Sequence, residues 1–405
     1  MGIDVTTVAI DDPGDLLTEV PEPEALVWLR HGDGLVARGE AVAIKVGTGP
    51  ERVDAAAREL QALFGSMNVR DEVGVRGSGP VAFGAISFDP DIGGSVLIVP
   101  EVVVGRRNGL AWRTTIGQPS ERPTPAGVGA DSDGPDRVRY WGSSVPEMTW
   151  LEAVAKAEAA VGRGDLEKVV LARDVRVWSR SPLRPHRLLR KLSGRFPECY
   201  SFSIDGLIGA TPELLVRRDG LEIESLVLAG SAARGPDAES DDRFGRDLLN
   251  STKDEREHEV ALRSVVEVLR PICPDVDIAE PELLKLANVQ HIATRVAGKL
   301  ESSRSALELA GLLHPTAAVC GLPRDDALEM IRALEGMDRA RYSGPVGWVD
   351  ARGNGEWGIA LRCAELSSQG ARLFAGSGIV EGSRPEAELE ETRLKLRAMQ
   401  SALES

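Results

Sequence analysis

The sequence predicts an α+β fold, with sheets and groups of helices in separate layers. Three observations carry this. Predicted strands come in runs, two helix-rich stretches at about 241–270 and 303–335 interrupt them, and no strand-helix-strand unit recurs as a parallel sheet would require. The 405 residues, 42% hydrophobic and 27% charged, are enough to bury a sizeable core and exclude collagen-like, disordered and disulfide-scaffold classes.

Residues 1–116 read as short strands and turns, among them 41–44, 80–88 and 95–104, with one helix over 52–64. We take 1–116 as a variable α/β part of the same fold. From Gly117 to Pro146 Pro, Gly, Ser and Asp dominate without periodicity, which marks an exposed connection or a mobile loop over 117–146. The region 147–405 then opens on a helix capped by Thr149, with Glu152 completing the capping box. Strands are expected at 168–177, 200–204, 213–217 and 221–228, and a hairpin joins 357–366 to 371–374. Ser383 and Glu386 form the capping box of a closing helix, with Pro385 in its first turn.

Charge narrows the partners. With 48 basic against 63 acidic residues and no basic patch along the chain, nucleic acid is disfavoured. No apolar run approaches the ~20 residues a bilayer span needs, and the Met-Gly start lacks the polybasic patch that would make a myristoyl anchor effective. We therefore expect no membrane association. Cys199, Cys273, Cys320 and Cys363 show no CxxC and no histidine at ligand spacing, so reduced, cytoplasmic thiols are expected.

Only eight of the 48 basic residues are lysines, which makes an oddly placed lysine informative. Lys168 precedes Val169-Val170-Leu171-Ala172, a run that reads as a buried strand. Unlike arginine, a desolvated lysine can give up its proton and act as a base; the plain alternative is a lysine at the strand's wet end. Glu213 follows a Pro-containing turn and precedes an apolar strand, where desolvation can hold a carboxyl protonated as a general acid; the plain alternative, which the spacing alone favours, is a solvated strand-edge glutamate.

Two helices carry acidic faces, Asp254 with Glu257, and Glu388 with Glu391 and Lys395. Alone each is an ordinary ion-pair surface; face to face they offer the one or two carboxylates that Mg²⁺ prefers. The run 374–383 holds Gly376 and Gly378 between a strand and the last helix, either a tight turn or a backbone cradle for an anion. Arg362 is a lone cation on an apolar strand, suited to a carboxylate or to nothing in particular.

In this order the segments resemble the chorismate-utilising enzymes, which include isochorismate, salicylate, anthranilate and aminodeoxychorismate synthases. The resemblance covers about 150–400 and rests on Lys168 to Arg173, Gly209 to Glu213, Leu228 to Ser231 with Arg234-Gly235, Lys253 to His258, His291 to Thr294, Leu313 to Gly321, Tyr342-Ser343-Gly344 and Gly376 to Lys395. It implies two orthogonally stacked, antiparallel-rich sheets flanked by helices. Anthranilate synthases typically carry Gln at the Lys168 position, aminodeoxychorismate synthases a Lys at that of Ala229, and salicylate synthases a Thr near Ala318. The form found here is similar to isochorismate synthases. Salicylate synthase is the nearest alternative; an aminating enzyme and a non-catalytic chorismate-binding protein are the others.

The resemblance implies Mg²⁺-dependent conversion of chorismate to isochorismate, by water addition at ring position 2 and loss of the position 4 hydroxyl, for menaquinone or a siderophore. Lys168 would activate the water and Glu213 protonate the departing hydroxyl. Glu257 and Glu391 would hold Mg²⁺, supported by Asp254 and Glu388. Tyr342, Arg362, Lys395, Gly376 and Gly378 would clamp the enolpyruvyl carboxylate, and Ala229, Gly230, His291 and Ala318 would line the ring site. A monomer or weak homodimer is expected, with no amidotransferase partner. Two departures from many relatives are Glu255, expected to face solvent, and Leu389, where an aromatic is common.

Overall fold

β-Branched and aromatic runs with period-two alternation build long antiparallel ladders, and these assemble into two sheets. The computed structural model describes residues 2–19, 25–119 and 138–404. Among these, one sheet has thirteen strands and the other ten. The larger runs through Lys168–Ser179, Gly370–Ile379, Cys363–Ser367, Leu207–Thr211, Tyr200–Ile204, Leu26–Arg30 and Asp33–Arg38. The smaller runs through Val289–Lys299, Glu222–Ala233, Leu214–Asp219, Gly355–Ile359, Pro345–Asp350 and Val81–Ala85.

The first hundred residues therefore belong to both sheets: Leu26–Arg30 pairs with Tyr200–Ile204, and Val81–Ala85 with Pro345–Asp350. Trp28, Leu35 and Phe202 from the larger sheet share one buried cluster with Phe83 and Trp348 from the smaller. Helices cover the outer faces. Leu188, Leu189 and Leu192 of Pro185–Arg195 and Leu396, Met399 and Leu403 of Pro385–Glu404 pack on Ile208, Ala364 and Leu373. Each such side chain contributes about 1.5–3 kcal/mol when fully buried. No helix of the described residues is long and apolar enough to cross a membrane.

Two features of this architecture make a site. First, a pair of adjacent antiparallel chains passes together from one sheet to the other. Leu207–Thr211 lies in the larger sheet and Leu214–Asp219 in the smaller, with Pro212 and Glu213 at the corner. Beside it Gly355–Ile359 of the smaller sheet leads through Leu361 and Arg362 to Cys363–Ser367 of the larger. Arg362 takes a left-handed φ of 49° to make that bend. Ala210 N–H donates to Arg362 O at 3.2 Å and Ile359 N–H to Glu213 O at 3.3 Å, so the two corners are locked side by side.

Second, the ladder between Glu222–Ala233 and Val289–Lys299 shifts register between Ala229 and Ser231. Gly230 is the extra residue. Its φ of 75° suits glycine, and an added Cβ would stand 3.1 Å from Asp254 Cβ.

Several elements differ from the sequence reading. The helix expected to start at Thr149 spans Glu147–Gly162, with Pro146 at its N-cap position and no side-chain cap; proline's restricted φ replaces the hydroxyl as the start signal. Ser383 Oγ accepts from Val380 N–H at 3.2 Å, and the last helix begins at Pro385. The strand expected over 213–217 starts at Leu214, and the run 357–366 is broken at the corner. Gly376 and Gly378 lie within the strand Gly370–Ile379, where a loop was expected, because Lys168–Ser179 continues to pair alongside them. Of the connection 117–146, residues 120–137 lie outside the described part, while Val138–Gly142 is a strand paired to 176–179.

Candidate active site

Glu213 comes from the sheet-switching corner, which turns its carboxyl inward without a neighbouring backbone donor. It is buried, and desolvation pushes its carboxyl up to about 8, against the opposing pull of Lys168, Arg362 and Lys395. At neutral pH this group therefore carries a proton.

Lys168 opens the strand Lys168–Ser179, and the apolar run that follows draws it into the interior, fully buried. Its Nζ lies 3.0 Å from Glu257 Oε1 but outside hydrogen-bonding geometry, so the ion pair leaves a buried amine without a directed acceptor. A buried polar group in that state marks a place where a ligand or water belongs.

The acidic helices meet here. Ser251 caps the helix Thr252–Leu269 through Asp254 N–H, and Lys253 reaches Glu388 of the helix Pro385–Glu404 at 2.6 Å. Glu388 also accepts from Ser377 Oγ at 2.6 Å, and Lys395 pairs with Glu391 at 2.5 Å while donating to Gly376 O at 2.9 Å. Burial pushes Asp254 above the usual carboxylate range, and repulsion from Glu257 and Glu391 adds to it. Glu391 is held well below that range, because its ion pair with Lys395 outweighs burial. Among the described residues, no three His, Cys, Asp or Glu side chains converge closely enough to form a metal site by themselves.

A cationic wall closes the other side. Arg362 donates to His291 Nε2 at 2.9 Å, and a guanidinium can only donate, so Nε2 is the acceptor and Nδ1 carries the proton. Nδ1 in turn lies 3.2 Å from Gly230 O and 3.0 Å from Ser231 Oγ, which ties the ring to the bulge. Burial, reinforced by Arg362 and Lys395, lowers His291 to about 3, so it is neutral. Arg362 Nε is buried and unpartnered. Tyr342 stacks on Phe374 at 5.1 Å, and an added Cβ on Gly376 would stand 3.1 Å from its hydroxyl.

Val170 N–H donates to Cys320 O, away from the strand Gly370–Ile379. Antiparallel alternation then turns the N–H groups of Gly376 and Gly378, opposite Ala172 and Val170, to the far side of their strand, beyond the end of Cys363–Ser367. At Gly378 a Cβ would fall on the Glu257 carboxylate and stand 2.9 Å from Lys168 Cε.

A cavity of about 50 Å³ collects these groups. Glu213, Ala229, Gly230, Glu257, His291, Ala318, Tyr342, Arg362, Gly376, Gly378 and Lys395 line it; Lys168, Asp254, Glu388 and Glu391 stand behind its wall, through the contacts above. Wider grooves of about 740 and 680 Å³ lie elsewhere and contain none of these groups, so size does not identify the site. Glu255 is exposed and Leu389 buried, so the acidic departure faces water.

Sequence reasoning assigned no role to Lys253, Ser231, Ser343 or Ser377. Lys253 is one of the eight lysines, and the scarcity that singled out Lys168 pointed to it equally. Ser343 lines the cavity with a buried, unpartnered Oγ at a φ of 64°, which no local pattern signals.

A double corner between two sheets, with a protonated carboxyl and a cationic wall lining one cavity and a buried lysine behind it, has the chemistry to take a small polar anion. Residues 131–404 match the model of the chorismate binding enzyme family, and the chain belongs to that family. It is 38% identical to isochorismate synthase DhbC of Bacillus subtilis over 341 residues, 80% of this chain and 81% of that one. Among solved structures it is similar to the putative 2,3-dihydroxybenzoate-specific isochorismate synthase DhbC of Bacillus anthracis (TM-score 0.81, 31% identity, covering 97% and 99% of the two chains). It is likewise similar to MenF, the menaquinone-specific isochorismate synthase of Escherichia coli (TM-score 0.81, 25% identity, 99% and 95%).

Proposed function

We propose that the chain is an isochorismate synthase. The observation that carries this is the placement of two buried groups of complementary chemistry: a carboxyl held up at about 8 that lines the cavity, and a lysine nitrogen without a directed acceptor just behind its wall, beside Glu257 and Gly378. Water adds at ring position 2 while Lys168 Nζ, acting in its free-amine form with the Glu257 ion pair given up, takes its proton. The diene electrons shift, the bond from ring position 4 to its oxygen breaks, and Glu213 delivers a proton to the departing hydroxyl, which leaves as water. Atoms balance, since one water enters and one leaves. Each group supplies general acid or base catalysis worth about 10²–10⁴-fold.

Arg362 with its free Nε, the Tyr342 hydroxyl, Lys395 and the Gly376 and Gly378 N–H groups bind the enolpyruvyl carboxylate. Gly230 and Ala229 keep the ring site free of bulk, and neutral His291 orients Arg362.

The donor set fits Mg²⁺. Glu257 and Glu391 offer hard carboxylate oxygens, and a cation would relieve both the burial of Asp254 and the repulsion that Glu257 and Glu391 add to it. Glu257 and Glu391 would hold the ion, with Asp254 and Glu388 as neighbours that accept from its waters. Bound there, Mg²⁺ would supply positive charge that offsets the ring carboxylate. Cytoplasmic location, and a monomer or weak homodimer without an amidotransferase, belong to the same reading, because water addition needs no ammonia source.

The test is to incubate the protein with chorismate and Mg²⁺ and separate the products. Isochorismate as the product, lost on chelation and restored by Mg²⁺, is expected. Salicylate and pyruvate as sole products would reassign the chain to salicylate synthase.

A further inference from the structure

A buried ion pair outside the cavity ties three of its walls together. On its outer edge the strand Lys168–Ser179 has strand partners, among the described residues, at its two ends: Lys168 and Val169 pair with Gly321–Leu322, and 176–179 with Val138–Gly142. The polar backbone groups between must find other partners. Ala172 N–H donates to Glu335 Oε1 at 2.7 Å, Val170 O accepts from Arg339 at 2.8 Å, and Ala172 O accepts from Trp150 Nε1 at 3.1 Å.

The same guanidinium does three further things. Its other terminal nitrogen donates to Val319 O at 2.8 Å, its Nε donates to Glu335 Oε2 at 2.9 Å, and its Cζ lies over the Phe88 ring, 4.1 Å from the centroid. Its own backbone carbonyl accepts from Tyr342 N–H at 3.0 Å. Both side chains of the pair are almost completely buried.

Val170, Val319 and Tyr342 all line the cavity, and Lys168 lies two residues before Val170. We propose that Glu335 and Arg339 are positioning residues for the reaction, which rests on the isochorismate synthase reading. The pair sets the spacing between the Lys168 strand, the loop carrying Ala318 and Val319, and the turn carrying Tyr342. Only a planar fork can hold carbonyls on two separate segments while its face stacks on a ring; a lysine has one nitrogen and no such plane. Stability alone would not demand this arrangement, since a buried ion pair can often be replaced by apolar side chains of similar volume without loss. Catalysis is more exacting, because a displacement of about 1 Å can cost about a hundredfold in rate.

The experiment compares the wild type, the apolar double variant Glu335→Leu/Arg339→Met, and Arg339→Lys by thermal melting and by steady-state conversion of chorismate with Mg²⁺. The double variant is expected to fold, with kcat reduced about a hundredfold and KM within about threefold of wild type. Arg339→Lys, which keeps the charge, is expected not to rescue kcat. The fall of activity at alkaline pH is expected at the wild-type position, because Glu213 is untouched. A folded double variant with wild-type kcat would overturn the proposal. If that variant does not fold, folded Arg339→Lys with wild-type kcat overturns it, and failure of both to fold assigns the pair to stability and overturns it too. Wild-type protein in the same assay separates the two levels: no wild-type turnover refutes the function, whereas wild-type turnover with unaffected variants refutes the positioning role alone.

Discussion

Glu213→Gln tests the central element of the site, because it removes a proton donor while keeping volume and polarity. Burial holds the Glu213 carboxyl up at about 8, from an ordinary 4.5. At about 1.36 kcal/mol per pH unit, that difference means the fold disfavours the carboxylate by about 5 kcal/mol. Between pH 4.5 and 8 the folded protein retains a proton that the unfolded chain has released. Stability from this group therefore falls as pH rises through that window, and the loss is complete above 8. Glutamine has no proton to lose. Urea unfolding should therefore show variant and wild type nearly equal at pH 5, with the variant gaining at pH 8 to 9 by an amount approaching about 5 kcal/mol. Turnover of chorismate should fall by about 10²–10⁴-fold, and wild-type turnover should decline above about pH 8 as the acid ionises. A pH-independent stability difference would refute the protonated state, and variant activity within about tenfold of wild type would refute its catalytic role.

Three further outcomes follow from the same geometry. Lys168→Ala should lower turnover by about 10²–10⁴-fold while calorimetry still detects chorismate binding with Mg²⁺; unchanged turnover removes Lys168 from the mechanism. Gly378→Ala sets a Cβ against the flexible ends of Glu257 and Lys168, so it should cost no more than about 1–3 kcal/mol of stability yet at least about tenfold in kcat, and wild-type kcat in this variant would refute the close approach. Burial holds His258 at about 4 and His291 and His314 at about 3, so below 6.5 the unfolded chain takes up three protons that the fold refuses. Stability should fall as pH drops from 6.5 toward 5, with Glu213, which keeps its proton in the fold, offsetting part of the loss; urea midpoints unchanged between pH 6.5 and 5 would contradict this.

Much of the molecule was legible because its signals are local. The apolar run after Lys168 marks a buried strand, and helical spacing places Glu257 beside Asp254 and Glu391 beside Lys395. What was not legible depends on contacts between distant segments. Glu213 reads as the first residue of a strand, and Arg362 as the middle of one, because a strand that leaves one sheet and enters another keeps its apolar pattern through the corner. Gly376 and Gly378 read as a loop because glycines punctuate loops, but Lys168–Ser179 pairs alongside and keeps the strand going. Thr149 has the sequence of a cap, yet Pro146 starts the helix sooner. The Glu335–Arg339 pair carries no local signal of its task, since the backbone groups it satisfies lie 20 to 169 residues away along the chain.

The amino-acid sequence by itself determined the chemical inventory and the periods of strand and helix: which residues can donate a proton, accept one, or hold an anion, and on which face of its element each stands. Those properties depend on neighbours within a turn or two. Tertiary structure alone decided protonation and pairing. Glu213 is neutral and Glu391 ionised because one is buried against a bare corner and the other against Lys395, and both effects act through space, where desolvation and charge depend on which segments the fold brings together.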